Sequence, residues 1–300
     1  ATISATSEKC PMCGSAANRT ICERPRSGRQ WSLTQCQACT LHFTAPIPTA
    51  DDIIAFYQGD YHTDLRIEAG TEKAFDAKYQ RYAEALGRHL PVGRVVDVGC
   101  STGLLVRKLC DRGYDAEGIE LNADSAAWGR ANYDVIIHSK PLENCPYGPE
   151  SLDAILFTDV LEHTPHPRDY LREAGQRLVP GGLALVTFPD IWSIESRYHY
   201  LLSRLLHRDW LWGNCHVPLH VWEFTRATAE ACFAGAGFEV LEFRRTQPAP
   251  EPLDLDPIEP DEPKAKGSQV SKIVGEPGSG KPRDDERGAP EPRKSKTAGA

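Results

Sequence analysis

The sequence predicts an α/β fold built on a parallel, doubly wound sheet, and three observations carry that prediction. Between Arg94 and Leu105, RVVDVGCSTGLL, a β-rich apolar run (Val95, Val96, Val98) gives way to a small-residue loop, Gly99-Cys100-Ser101-Thr102-Gly103, and then to a helical pattern from Leu104. Beyond it, short apolar runs alternate with helical ones, as an open sheet with crossover helices requires. A second strand-like run, Asp115 to Ile119, ends in an acid, Glu120, placed where a carboxylate can reach the hydroxyls of a ribose held above the first turn.

Length and composition bound the rest. A chain of 300 residues, 40% hydrophobic, holds one large domain with accessories. Its net charge of −8 argues against a nucleic-acid binder that works through a broad basic face. No apolar run is long enough to span a bilayer, and no charged-then-apolar pattern opens the chain, so a cytoplasmic location is expected. Four of the ten cysteines form two C-x-x-C pairs; Cys22, Cys100, Cys110, Cys145, Cys215 and Cys232 are scattered, as in a reduced compartment.

In chain order, residues 1–48 read as a zinc ribbon. Cys10-Pro-Met-Cys13 is answered by Cys36-Gln-Ala-Cys39, a spacing that puts four thiolates around one tetrahedral ion. Between the pairs, Arg19 to Arg29 reads as a basic loop and Trp31 to Leu33 as a strand. A closed four-thiolate site does no chemistry, so the ribbon is expected to stabilise its module or make contacts. Five basic against two acidic residues in the first 50 make too weak a patch for nucleic acid. Residues 49–90 read as a helical lead-in. Asp51 to Tyr57 is a short helix, and Thr71 to Leu90 a longer one with Phe75, Tyr79, Tyr82 and Leu86 on one face. Tyr57 and Tyr61 are candidates for a lid.

Residues 91–245 supply the sheet. After the glycine loop come a helix (Leu104 to Arg112), the strand to Glu120, a helix (Asp124 to Asn132) and a short strand (Val135 to His138). A fourth strand (Leu152 to Phe157) and a helix (Asp169 to Leu178) follow. Pro180-Gly181-Gly182 turns the chain into a fifth strand, Leu183 to Phe188, and Gly237 to Phe243 reads as a sixth. An aromatic and His-rich insertion, residues 190–224, precedes the helix Arg226 to Ala236. Residues 246–300 are rich in Pro, Gly and mixed charge, the profile of a disordered tail, in which only Val270 to Val274 offers a seventh strand. GEPGSGK, Gly275 to Lys281, satisfies a phosphate-loop pattern, but Pro282 stands where a magnesium-binding hydroxyl belongs and no helix follows.

The run V-x-D-V-G-C-S-T-G resembles motif I of the class I S-adenosylmethionine (SAM) dependent methyltransferases, an acid followed by G-x-G-x-G, with Ser101 as the middle position. A dinucleotide fingerprint, G-x-G-x-x-G, fails because no third Gly follows Gly103. Asp159-Val160-Leu161-Glu162-His163 after the fourth strand and P-G-G before the fifth also match the class I family in order and spacing. The C-P-x-C-G ribbon looks like the N-terminal segment of a subgroup of bacterial methyltransferases, with Thr40 where Gly is usual.

The resemblance implies a Rossmann-like core, SAM as cofactor and structural zinc. It assigns Gly99, Ser101 and Gly103 to the methionine-side loop, Asp97 to the amino group and Glu120 to the ribose. Leu142 is implied at the adenine, and Thr158 and Asp159 near the sulfonium. Methyl transfer to a hydroxyl needs a base, and His163 has the pKa for it. The same imidazole also reads as a backbone-bonded structural group. A third reading makes it a metal ligand, because ubiquinone-type O-methyltransferases carry E-x-x-E-H here. The chain offers Asp159, Glu162 and His163, and Mg2+ ranks below the base reading. The insertion, with His216 and His220 bordering the acceptor, suits a small organic molecule: an activated sugar, a quinone-like lipid or a carrier-bound intermediate. The rival reading is a noncatalytic partner protein that uses ribbon and tail for contacts. The sequence carries no signal of oligomeric state.

Overall fold

A computed structural model describes residues 8–26, 28–49, 51–53, 71–206 and 217–244. Tyr57, Tyr61, His216 and the whole of 246–300, with the Val270 to Val274 run and GEPGSGK, lie outside the described residues.

Strands β4 (Arg94–Val98), β5 (Asp115–Ile119), β6 (Ile137–His138), β7 (Leu152–Thr158) and β8 (Leu178–Thr187) form one parallel sheet in the order β6-β5-β4-β7-β8. Strand order reverses direction at β4, so the crevice for a ligand opens at the carboxyl ends of β4 and β7. Alternate residues of each strand face opposite layers. Val96, Val98, Ile155 and Phe157 point into one core, and Val95, Ala154 and Leu156 into the other. The second layer is closed by α1 (Thr71–Gly87) and α2 (Leu104–Cys110), which bury Tyr82, Leu86, Leu105, Val106 and Leu109 against it. Helix α3 (Ala123–Tyr133) is capped by Asn122, whose Oδ1 accepts from Ser125 N at 2.9 Å.

The other layer holds α4 (Pro167–Arg177) and the N-terminal segment. Strands β1 (Asn18–Arg26), β2 (Arg29–Cys36) and β3 (His42–Ala45) form an antiparallel sheet whose fourth strand comes from the far end of the chain. That strand is β9 (Trp222–Glu223), paired Phe43 to Trp222 and His42 to Glu223. One face of this sheet (Cys36, Phe43, Ala45, Trp222) joins the core cluster of Val96 and Phe157. Trp31 and Leu33 pack with Ile191 and Val217. Helix α5 (Ile194–Leu206) follows Ile191, and α6 (Arg226–Gly235) is the last helix among the described residues.

Three sequence expectations change. Arg19 to Arg29 is no loop: residues 18–26 are β1, paired along their length with β2. Their charge hides the strand because cross-strand pairing, not apolar content, satisfies the backbone. Pro180-Gly181-Gly182 lies inside β8 rather than before it. Pairing jumps from Leu152↔Leu178 to Ala154↔Leu183, with Gly181 at φ 78° in the bulge. Gly237 to Phe243 forms no strand among the described residues. This run is held by side chains instead, with Phe243 5.0 Å under the Arg226 guanidinium and Glu242 bonded to His89 at 2.9 Å.

Candidate active site

The glycine loop after β4 is left-handed at three positions and packs too closely on its neighbours for side chains at Gly99 and Gly103. Gly99 and Gly103 sit at φ 73° and 78°, where an L side chain is strained. A Cβ on Gly99 would fall 2.6 Å from Val160 Cγ2, and one on Gly103 2.9 Å from Ile137 Cδ1. Ser101 shares the left-handed conformation at φ 53°, and its N–H donates to Glu120 Oε2 at 2.9 Å. The other oxygen of Glu120 accepts from Asn122 N at 2.7 Å, so this carboxylate is braced between the two loops that flank the crevice.

Asp97 is the unusual group. It is 1% exposed on β4, and its Oδ1 has no hydrogen-bond partner among the described residues. Burial, with Glu120 and Asp159 adding like charge, raises its pKa well above the usual carboxylate range. Such a group calls for a cationic donor, and the ammonium of an amino acid supplies one. The SAM site implied by the sequence therefore fits the residues present.

At the end of β7, Asp159 sits at φ 57°; its Oδ1 accepts from Thr187 Oγ1 at 2.9 Å, and its Oδ2 pairs with Lys78 of α1 at 2.5 Å. Lys78 lies 5.6 Å from the ring of Phe75 and 5.8 Å from that of Tyr82. Sequence reasoning missed it, although a lysine three residues after Phe75 and four before Tyr82 stands at helical spacing within the aromatic stripe. Leu142 is 1% exposed and packed into the core with Val98 and Ile119.

The turn after β7 brings the acceptor-side candidates together. His163 and His220 meet with ring centroids 4.7 Å apart at 79°. His163 Nδ1 lies 3.0 Å from Leu219 O; a carbonyl only accepts, so Nδ1 carries the proton and Nε2 is the basic nitrogen. His220 Nδ1 lies 3.1 Å from Glu223 Oε1, within a pair whose side chains are 6% and 1% exposed. Burial lowers the His220 pKa to about 4, so the imidazole is neutral at pH 7. Glu162, 1% exposed, has both carboxylate oxygens without hydrogen-bond partners among the described residues; burial and Asp159 raise its pKa. One ligand atom from each of Glu162, His163 and His220 lies within 4.8 Å of the others. Asp159, expected with Glu162 and His163, is engaged by Lys78 and Thr187, and His220 takes the third place.

Comparison with known proteins decides the family. A family described as "Methyltransferase domain" matches residues 70–243, more than half of the chain. The chain belongs to the class I methyltransferases. A Caulobacter ubiquinone biosynthesis O-methyltransferase is 30% identical over 99 residues, 31% of this chain and 39% of that protein. The Azorhizobium caulinodans protein of the same description is 24% identical over 156 residues, 50% of this chain and 60% of that one. The chain thus spans between two and three fifths of the length of these curated relatives. A SAM-dependent methyltransferase from Thermotoga maritima superposes with a TM-score of 0.44 at 23% identity, covering 63% of this chain and 81% of that one.

This methyltransferase-family chain carries a second constellation in its N-terminal segment. The Sγ atoms of Cys10 and Cys39 are 3.5 Å apart, and those of Cys13 and Cys36 3.6 Å. Both separations are close to the roughly 3.8 Å edge of a tetrahedron with 2.3 Å metal–sulfur bonds. Burial pushes the Cys10 thiol up to about 11 and raises Cys39 further, whereas at Cys36 burial is outweighed by backbone and cysteine hydrogen bonds, which lower it to about 7; a bound cation would favour the thiolate at all of them. The four cysteines thus fit the zinc site that their spacing predicts. Of the aromatic insertion, Trp222 is core rather than pocket wall: it is 2% exposed and stacks on Phe224 at 5.8 Å. Trp192 meets His42 edge-on at 5.6 Å, and Tyr198 is exposed.

Proposed function

We propose that this chain transfers the methyl group of SAM to a hydroxyl oxygen of a small organic acceptor, with His163 as the base. The observation that carries the reading is the meeting of His163 and His220 beyond the end of β7, with Asp159 close enough for its charge to act on both His220 and Asp97.

SAM supplies a methyl group already activated on a sulfonium, so the protein's task is mostly alignment. Asp97, short of a cation, would hold the ammonium; the backbone around Gly99, Ser101 and Gly103 would permit close approach; Glu120 would hold the ribose, and Thr158 and Asp159 would lie on the sulfonium side. His163 accepts the acceptor's hydroxyl proton at Nε2 while Nδ1 stays bonded to Leu219 O, which fixes the ring. His220, neutral and buried, forms the wall behind it. His216, the third candidate, belongs to the same insertion. In this reading Cys10, Cys13, Cys36 and Cys39 hold structural zinc in a ribbon of residues 1–48. Residues 49–90 lead in, and 91–245 carry the chemistry with the acceptor insertion at 190–224.

Calorimetric titration of SAM into the zinc-loaded protein tests the cofactor site. Micromolar binding that is lost in Glu120→Ala supports it, and no binding to the folded wild type would favour a noncatalytic partner protein instead. Tritiated methyl transfer across a panel of hydroxylated sugars, phenols and carrier-bound alcohols then tests the acceptor class.

A second reading has one observation in its favour. Glu162, His163 and His220 offer a carboxylate and two imidazoles at ligand spacing, a set that suits a divalent ion. Turnover unchanged in a chelator too weak to strip the cysteine site removes that reading; loss restored by magnesium establishes it.

A further inference from the structure

Two consecutive carbonyls of the loop that carries His220 are taken by a single residue of the N-terminal sheet. Thr44 Oγ1 donates to His220 O at 2.6 Å, and Thr44 N donates to Val221 O at 2.9 Å. Thr44 is 0% and His220 5% exposed, so water offers neither group an alternative partner. From the opposite side the same loop is tied to the turn after β7, where Val221 N donates to Glu162 O at 2.7 Å and His163 Nδ1 donates to Leu219 O at 3.0 Å. Glu223, which faces His220 Nδ1, stands opposite His42 in the β3–β9 ladder. His220 is therefore clamped between the N-terminal sheet and the turn that presents His163.

We propose that strand β3 is part of the acceptor side of the active site, and that Thr44 is the positioning residue that holds His220 against His163. The proposal rests on the reading of the two imidazoles as the acceptor-side pair. Strand β9 is only two residues long, so the ladder alone fixes the loop poorly, and Thr44 supplies two of its anchoring bonds. Replacing Thr44 by Val keeps the side chain's shape and deletes only the hydroxyl. His220 O is then buried without its donor, and the loop regains a partner only by moving. A shift of about 1 Å between reacting groups can cost on the order of a hundredfold in rate.

The test uses the full-length, zinc-loaded protein labelled with 15N-histidine. Imidazole resonances of His163 and His220, assigned through the His163→Gln and His220→Gln variants, report tautomer and hydrogen bonding without SAM or an acceptor. In Thr44→Val the His220 ring signals are expected to move and turnover with the best acceptor of the panel to fall about 10–100-fold. SAM affinity should stay within about twofold, because Thr44 touches only the acceptor side. Thr44→Ser, which keeps the hydroxyl, should restore both signals and rate. Thr44→Ala replaces Thr44→Val if the latter does not fold; failure of both to fold, without rescue by Ser, would assign Thr44 to stability alone and overturn the proposal. Unmoved His220 signals in a folded Thr44→Val protein would overturn it too, while lowered turnover in His220→Ala would leave the acceptor-pair reading standing. Moved signals together with full turnover in His220→Ala would sink that reading, and the proposal with it.

Discussion

His163 and His220, held on separate loops, meet edge to face at 4.7 Å because each Nδ1 is tied to its own acceptor, Leu219 O for one and Glu223 for the other. Both rings are thereby locked in orientation, and each neutral ring keeps its basic nitrogen at Nε2 when Nδ1 donates. His163→Ala is expected to lower turnover by about 10²–10⁴-fold and to leave SAM affinity nearly intact. His220→Ala should act in the same direction more weakly, since it supports rather than receives the proton. Rates and calorimetry on the two variants check this; unaltered turnover in His220→Ala would dissolve the acceptor-side pair, and unaltered turnover in His163→Ala would remove the base.

Asp97 predicts a trade of function against stability. Its carboxyl is buried, lacks a partner at Oδ1 and has a raised pKa. The unfolded chain therefore ionises first as pH rises, and stability is lost above the ordinary carboxylate range. Asp97→Asn should stabilise the SAM-free protein at pH 7–8 by on the order of 1–3 kcal/mol, with the gain vanishing below about pH 4. The same variant should fail to bind SAM. Thermal melts at both pH values and one titration would show it.

Two imidazoles give the opposite pH dependence. Burial lowers His42 and His220 each to about 4 from 6.5. The unfolded chain takes up protons near pH 6.5 and the folded one does not until about pH 4, so stability is complete above that window and drains as pH falls through it. Melting temperature should fall steadily between pH 6.5 and 4, and His42→Gln should flatten the slope. A slope unchanged by that substitution would mean that other groups carry it.

The four cysteines predict one zinc per chain, measurable by elemental analysis. Cys39→Ser, or stripping with a strong chelator, should lower the melting temperature by on the order of 5–10 °C. Retention of both metal and stability in Cys39→Ser would show that the thiolates serve another purpose.

The parallel sheet was legible because β4 and β7 are locally apolar and α4 is strongly amphipathic. The glycine loop was legible because Gly99 and Gly103 occupy backbone conformations that other residues adopt only with strain. Asp97 and Glu120 stood out as acids ending apolar runs, and His163 and His220 as imidazoles flanking the crevice. What the sequence hid is long-range. Two-residue β9 has no period to detect, and its partner β3 lies at the other end of the domain. Thr44 reads locally as an ordinary strand residue; only its bond to His220 O distinguishes it. The run after Gly237 has strand composition but no ladder among the described residues, since composition cannot say whether an open edge is there to receive it.

The late arrival of β9 also sets a timetable. During synthesis β1, β2 and β3 leave the ribosome first, yet the open edge of β3 finds its partner only when Trp222 and Glu223 emerge, after the parallel sheet has been made. Until then the nascent chain carries an unpaired strand edge of the kind that recruits wrong neighbours. A cut anywhere between β3 and β9 leaves three strands of that sheet on one piece and the fourth on the other.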